Sequence, residues 1–216
     1  MMLESVFERS RDKCETGFFL VNGLNSEEVV IFWAGGSKKF ATNKERRKIL
    51  MDNVTNYFSE KYGVYSHIFF DIKGGFGGGF FTKSGERICS ASFSHSGKFS
   101  FAAIGKEDSS VGIDFELSGR EIGNGILTKI CEISFHEIDG GLSSQDRIRY
   151  WTNIEAVCKA SGHGLEVSSE LFRKGKGIWY LGDRRFSVED IEYSIGKQKF
   201  IGSIAIEETR IQERFA

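Results

Sequence analysis

The chain has 216 residues, 40% of them hydrophobic, with 20 Phe, 26 Gly, no Pro and a net charge of -1. That size supports one large domain or two small ones around a substantial core, and near-neutral charge excludes a general nucleic-acid binder, whose phosphate affinity needs clustered Lys and Arg. No apolar run reaches the roughly 18 residues that span a bilayer, and Cys14, Cys89, Cys131 and Cys158 lack the paired spacing of a zinc site or a disulfide framework.

Taken in chain order, the N-terminal MMLESVFERSRDK is charged and has no apolar centre of the kind a secretory signal needs, so a cytoplasmic protein is expected. Residues 17–35 hold two β-prone runs broken at Asn22, Gly23, Leu24 and Asn25, which predicts a hairpin. From 43 to 62, Ile49, Leu50, Val54, Tyr57, Phe58 and Tyr62 recur at helical spacing, with Asn43 as N-cap and Gly63 as stop. A strand at 68–72 precedes the glycines at 74, 75 and 77–79, which lack the Gly-Lys-Ser/Thr of a P-loop and the GxGxxG spacing and so read as a surface loop. Strands at 87–94, 99–104 and 111–117 predict an antiparallel meander. Helices are expected over 120–137 and 143–162, then strands at 178–181, 185–188 and 199–206. Strand, helix and strand groups thus occur twice, which predicts an α+β protein of two similar halves, 1–104 and 105–216.

Three stretches carry chemistry. In the strand VGIDFE at 111–116, alternation puts Gly112, Asp114 and Glu116 on one face, and two carboxylates projecting together invite a hard cation such as Mg²⁺. In WTNIEAVCKASGHGL at 151–165, Glu155 and Lys159 are four apart on one helical face, fit for completing a metal site and for reaching a phosphate, although the same spacing also describes an ordinary salt pair. Ser94 and His95, in SHSG before a turn, suit an anion: His95 as donor, with backbone N–H groups beside it. Neither a GxSxG elbow nor the paired histidines of a zinc hydrolase occur. The basic residues Lys38, Lys39, Lys44, Arg46, Arg47 and Lys48 surround a predicted helix start, where a terminal phosphate would be held.

Together, SHS, VGIDFE and the segment from Trp151 to Leu165 resemble the 4'-phosphopantetheinyl transferases of the Sfp type over roughly residues 38–206. The family pattern is SHS, VGIDIE and W-x-x-K-E-A-x-x-K-x-x-G-x-G-L. This chain has Phe115 for the second Ile and Ile154 for the first Lys, and Lys98 is a candidate replacement cation. The resemblance implies a pseudo-dimer of α+β halves with coenzyme A in the cleft between them, acting as a monomer, while charge and hydropathy already speak against nucleic acid or membrane as partner. It also implies Mg²⁺-dependent transfer of the phosphopantetheine arm to a serine of an acyl- or peptidyl-carrier protein, releasing adenosine 3',5'-bisphosphate. Asp114, Glu116 and Glu155 would hold the metal. Ser94, His95 and Lys159 would contact phosphates, while Arg47 with Lys38 or Lys39 would hold the 3'-phosphate and adenosine side. Glu155 is the first candidate base and Glu137 the second, and Lys159 is a further catalytic residue through its phosphate contact. The alternative is a degenerate, non-catalytic member that binds coenzyme A or a carrier protein, motivated by Ile154.

Overall fold

The run VVIFWAG at 29–35 leaves no polar face, so a strand formed there must be covered on both sides. The computed structural model, which describes residues 5–9, 15–24, 27–35, 42–62, 68–71, 78–128 and 142–208, meets that demand with two antiparallel sheets and two long helices. The chain runs β1 (Ser5–Arg9), β2 (Glu15–Leu24), β3 (Glu27–Gly35), α1 (Asn43–Tyr62), β4 (Phe69–Asp71), β5 (Gly79–Phe81), β6 (Arg87–Ser96) and β7 (Phe99–Gly105). It continues with β8 (Val111–Leu117), α2 (Ser144–Ser161), a 3-10 stretch Gly164–Glu170, β9 (Leu171–Arg173), β10 (Ile178–Leu181), β11 (Arg184–Ile195) and β12 (Gln198–Glu207). The seven-stranded sheet has the order β1-β2-β3-β7-β6-β5-β4, and the five-stranded sheet β8-β12-β11-β10-β9. The fold is therefore α+β, and among the described residues no helix is long and apolar enough to cross a membrane.

Three apolar clusters explain the layering. Val29, Ile31 and Trp33 of β3, with Phe19 and Phe101, meet Ile113, Phe115, Ile191, Phe200 and Ile204 in a core between the sheets. On the other face of the first sheet, Val30, Phe32 and Ala34 lie under Leu50, Val54 and Phe58 of α1. Behind the second sheet, Ile154 and Val157 of α2 pack with Trp179, Phe186 and Ala205.

Phe115 stands at the centre, its ring stacked 4.4 Å from Phe101 across the two sheets. Gly202 pairs with it in register on β12, and a Cβ there would lie 2.3 Å from the Phe115 ring. Gly202 thus makes the room that a ring, larger than isoleucine, requires.

Several sequence expectations change. The predicted meander is divided: β7 pairs with β6 and β3, whereas β8 joins the second sheet beside β12. Period-two patterning fixes which face a residue occupies but not which strand lies next to it. The first hairpin turns after Leu24, because β2 absorbs Gly23 as an irregularity between Asn22 and Leu24. Gly79 belongs to β5, and Gly78 and Gly79 are buried where any Cβ would strike neighbouring atoms, so the end of the glycine run is packed structure; 72–77 lie outside the described residues. The cap of α1 is Thr42, whose N–H donates to Glu45 Oε2 at 2.8 Å, one residue earlier than expected; Gly63 is outside the described residues. Residues 121–123 are not helical, a short helix covers 124–128, and 129–141 lie outside the described residues. The edge strands β1 and β9 were not predicted, and β11 runs to Ile195. Cys89 and Cys158 are buried free thiols, and Cys14 and Cys131 are outside the described residues.

Overpacking a close-packed core costs about 1–3 kcal/mol. Gly202→Ala is expected to destabilise the protein by that amount in urea denaturation, and Phe115→Ile in the same chain is expected to recover most of it. Simple additivity of the two substitutions would contradict the assigned contact.

Candidate active site

Serine occupies every second position from Ser90 to Ser96, and on a strand those side chains share one face. That face of β6 meets β8, the edge of the other sheet. Three hydroxyls accept the β8 amides: Ile113 N–H to Ser92 at 3.1 Å, Phe115 N–H to Ser94 at 3.0 Å and Leu117 N–H to Ser96 at 3.0 Å. Two of the same hydroxyls donate onward, Ser94 to Asp114 Oδ1 at 2.9 Å and Ser96 to Glu116 Oε2 at 2.8 Å. Amides that a backbone neighbour would ordinarily satisfy are thereby paired, and both carboxylates are oriented by the same atoms.

The third element is α2. Ser143 caps its start by accepting from Asp146 N–H, and Gly162, at φ 77, ends it in the left-handed conformation. The helix lies against Gly112, where an added Cβ would come 1.9 Å from Ala156 O. Only glycine permits that approach, which sets Lys159 over Asp114. Lys159 Nζ donates to Asp114 Oδ1 at 2.7 Å and to Ile113 O at 3.1 Å, and pairs with Glu155 Oε2 at 3.1 Å. Glu116 takes an ion pair from Arg120 through its other oxygen.

Burial raises the Asp114 carboxyl, the Glu155 charge adds to the rise, and Lys159 and Ser94 pull against it, leaving the value at about 6. For Lys159, burial alone favours the neutral amine, but Asp114 and Glu155 outweigh it and hold the ammonium above its ordinary range. Asp114 Oδ2 is buried and has no hydrogen-bond partner among the described residues. An acceptor in that state suits a cation, and hard oxygen donors are what Mg²⁺ takes. Among the described residues no group of three metal-ligating side chains stands ready-made; Lys159 lies between Asp114 and Glu155, and Arg120 faces Glu116.

Asp114, Glu116, Glu155, Lys159 and Ser94 are thus brought together. The Ser94 hydroxyl is buried within the ladder and acts here by positioning Asp114. His95, one residue on, is exposed and lines an open pocket of about 720 Å³ beside Glu116. Arg47 is exposed on α1, with its guanidinium 5.0 Å from the Phe70 ring and 4.9 Å from Phe93. Its neighbour Arg46 is buried and reaches the turn after β6, donating to Ser100 Oγ at 3.2 Å and Gly97 O at 3.4 Å. Lys38, Lys39 and Glu137 are outside the described residues.

Sequence reasoning gave no role to Ser92 or Arg120, named Ser96 only within SHS, and put Arg46 among the phosphate-holding cations, whereas it is buried. The serine alternation was a readable signal, and Arg46 precedes Leu50, Val54 and Phe58 at intervals of four, which marks the inner face of α1. Arg120 carried no comparable pattern. Ile154, where the resemblance has lysine, is fully buried in the cluster beneath α2. No protein-family model matches the chain, and no curated protein is significantly similar to it.

Because the folded chain holds the Asp114 proton more tightly than the unfolded chain does, this group's contribution to stability is complete below about pH 4 and is lost as pH rises through about 6. Chemical denaturation across that window is expected to show wild type losing stability relative to Asp114→Asn. A difference independent of pH would contradict the raised carboxyl.

Proposed function

We propose that the chain transfers the 4'-phosphopantetheine arm of coenzyme A to a serine of an acyl- or peptidyl-carrier protein, with Mg²⁺ and with release of adenosine 3',5'-bisphosphate. The observation that carries this reading is the buried Oδ2 of Asp114, which has no hydrogen-bond partner among the described residues, amid Lys159 and Glu155, side chains from motifs far apart in sequence. The reading takes the two sheets, each with its helix, as the two halves of a pseudo-dimer, 1–104 and 105–216, with the ligand cleft between them and the chain acting as a cytoplasmic monomer.

Asp114, Glu116 and Glu155 would hold the metal. When bound, it supplies neutralisation of the charge that builds on the pyrophosphate. Lys159, whose ammonium is retained by two carboxylates, turns one or more of its N–H donors to a phosphate oxygen. His95 donates to a second phosphate oxygen, and Arg47 with Lys38 or Lys39 holds the 3'-phosphate. Glu155 takes the proton of the attacking serine hydroxyl, with Glu137 as second candidate. The serine oxygen bonds to the phosphorus bearing the pantetheine arm, and the bond from that phosphorus to the bridging oxygen breaks, so the electron pair leaves with the nucleotide. A positioned general base contributes about 10²- to 10⁴-fold, so Glu155→Gln is expected to lower transfer by at least about 10²-fold.

A second reading, non-catalytic binding of coenzyme A or a carrier protein, draws on the existing pairing of the carboxylates with Lys159 and Arg120. Incubation with coenzyme A, Mg²⁺ and several apo-carrier proteins, followed by mass spectrometry of the carriers, separates the two. A carrier gaining the mass of the pantetheine arm supports transfer. Coenzyme A binding without any gain favours the second reading, and absence of both defeats the first.

Ile154 gives an independent check. Restoring the family lysine would place a cation in a packed apolar cluster, at a cost of several kcal/mol. Ile154→Lys is expected to lower the thermal midpoint and not to increase transfer.

A further inference from the structure

Three turns meet around the open pocket beside Glu116. The end of β6 and the turn after it contribute His95, Ser96 and Gly97, the end of β8 and the turn after it contribute residues 117–120, and the β11–β12 turn with the start of β12 contributes Lys197, Gln198 and Lys199. The last two are tied together, since Ser118 N–H donates to Lys199 O at 2.9 Å, and Arg120 N–H to Leu117 O at 2.9 Å tightens the turn that carries Arg120. Arg120, Lys197 and Lys199 therefore project from backbone of fixed relative position. Against these cations the pocket holds one carboxylate, Glu116, already paired with Arg120 and Ser96. Cations gathered in a concavity repel one another unless an anion joins them. A guanidinium has five N–H donors, so the bond to Glu116 leaves others for a ligand. At about 720 Å³ the pocket is of small-molecule size.

We propose that Arg120, Lys197 and Lys199 form a subsite for a pyrophosphate-type anion, adjoining Glu116. The inference rests on the transferase reading for the identity of the physiological ligand. The subsite's own chemistry, charge-assisted hydrogen bonds from three cations to phosphoryl oxygens, stands apart from it. Because both lysines are exposed at the end of a hairpin, replacing them does not disturb the core.

The test is calorimetric titration of the full chain with inorganic pyrophosphate at low salt. Wild type is expected to bind. Lys197→Ala with Lys199→Ala is expected to weaken the dissociation constant by at least about tenfold, Arg120→Ala by a similar factor, and Lys176→Ala, an exposed lysine outside the pocket, to leave it unchanged. No binding by wild type, or equal binding by the double variant, overturns the subsite. Circular dichroism establishes that each variant is folded. Mass gain on a carrier together with unchanged pyrophosphate binding in the double variant overturns the subsite alone. Pyrophosphate binding lost in the double variant, with no carrier modified and no coenzyme A bound by wild type, sustains the subsite and overturns the transferase reading.

Discussion

Everything at the candidate site depends on how an edge strand is satisfied. β8 has β12 on one side and, among the described residues, no strand on the other, and the hydroxyls of Ser92, Ser94 and Ser96 take the amides that would otherwise be buried unpaired. An unmade buried hydrogen bond costs about 1–3 kcal/mol, whereas a made one contributes about 0.5–1.5 kcal/mol net, so the ladder matters chiefly by preventing a loss. Its consequence for function is geometric. Since the same hydroxyls donate to Asp114 and Glu116, the junction between the sheets and the orientation of the carboxylates are one arrangement.

On the carboxylate face of β8, Gly112 allows α2 to approach closely enough for Lys159 to bridge Asp114 and Glu155. A buried ion pair of this kind is weak evidence for stability, because desolvation opposes the Coulombic attraction. The raised carboxyl of Asp114 expresses that imbalance. A site with one buried oxygen that has no hydrogen-bond partner among the described residues, and a cation beside it, is better suited to accepting a charged ligand than to holding a fold together.

The sequence disclosed α1 because its apolar residues recur at three and four from Ile49 to Tyr62, and it disclosed the division of β8 between core and carboxylate faces because alternation is local. Partnership was not legible: nothing in 111–117 distinguishes a third meander strand from the first strand of a second sheet, since that depends on Ser94 and Ser96 a full hairpin away. Short edges such as Leu171–Arg173 carry too few residues for any period. At the site, residue types were readable from the motifs, but their present partners were not. Lys159 and Arg120 reach their carboxylates through side-chain geometry that spacing does not encode, and the burial of Ile154 follows from which face of α2 meets the sheet.

The most direct measurement is a crystal structure of the chain with coenzyme A and Mg²⁺. The expected result has the cation against Asp114 Oδ2, with Glu116 and Glu155 turned to it and Lys159 drawn from their carboxylates to a phosphate oxygen. A structure in which Lys159 still bridges Asp114 and Glu155, with the nucleotide bound away from β8 or not at all, would contradict it.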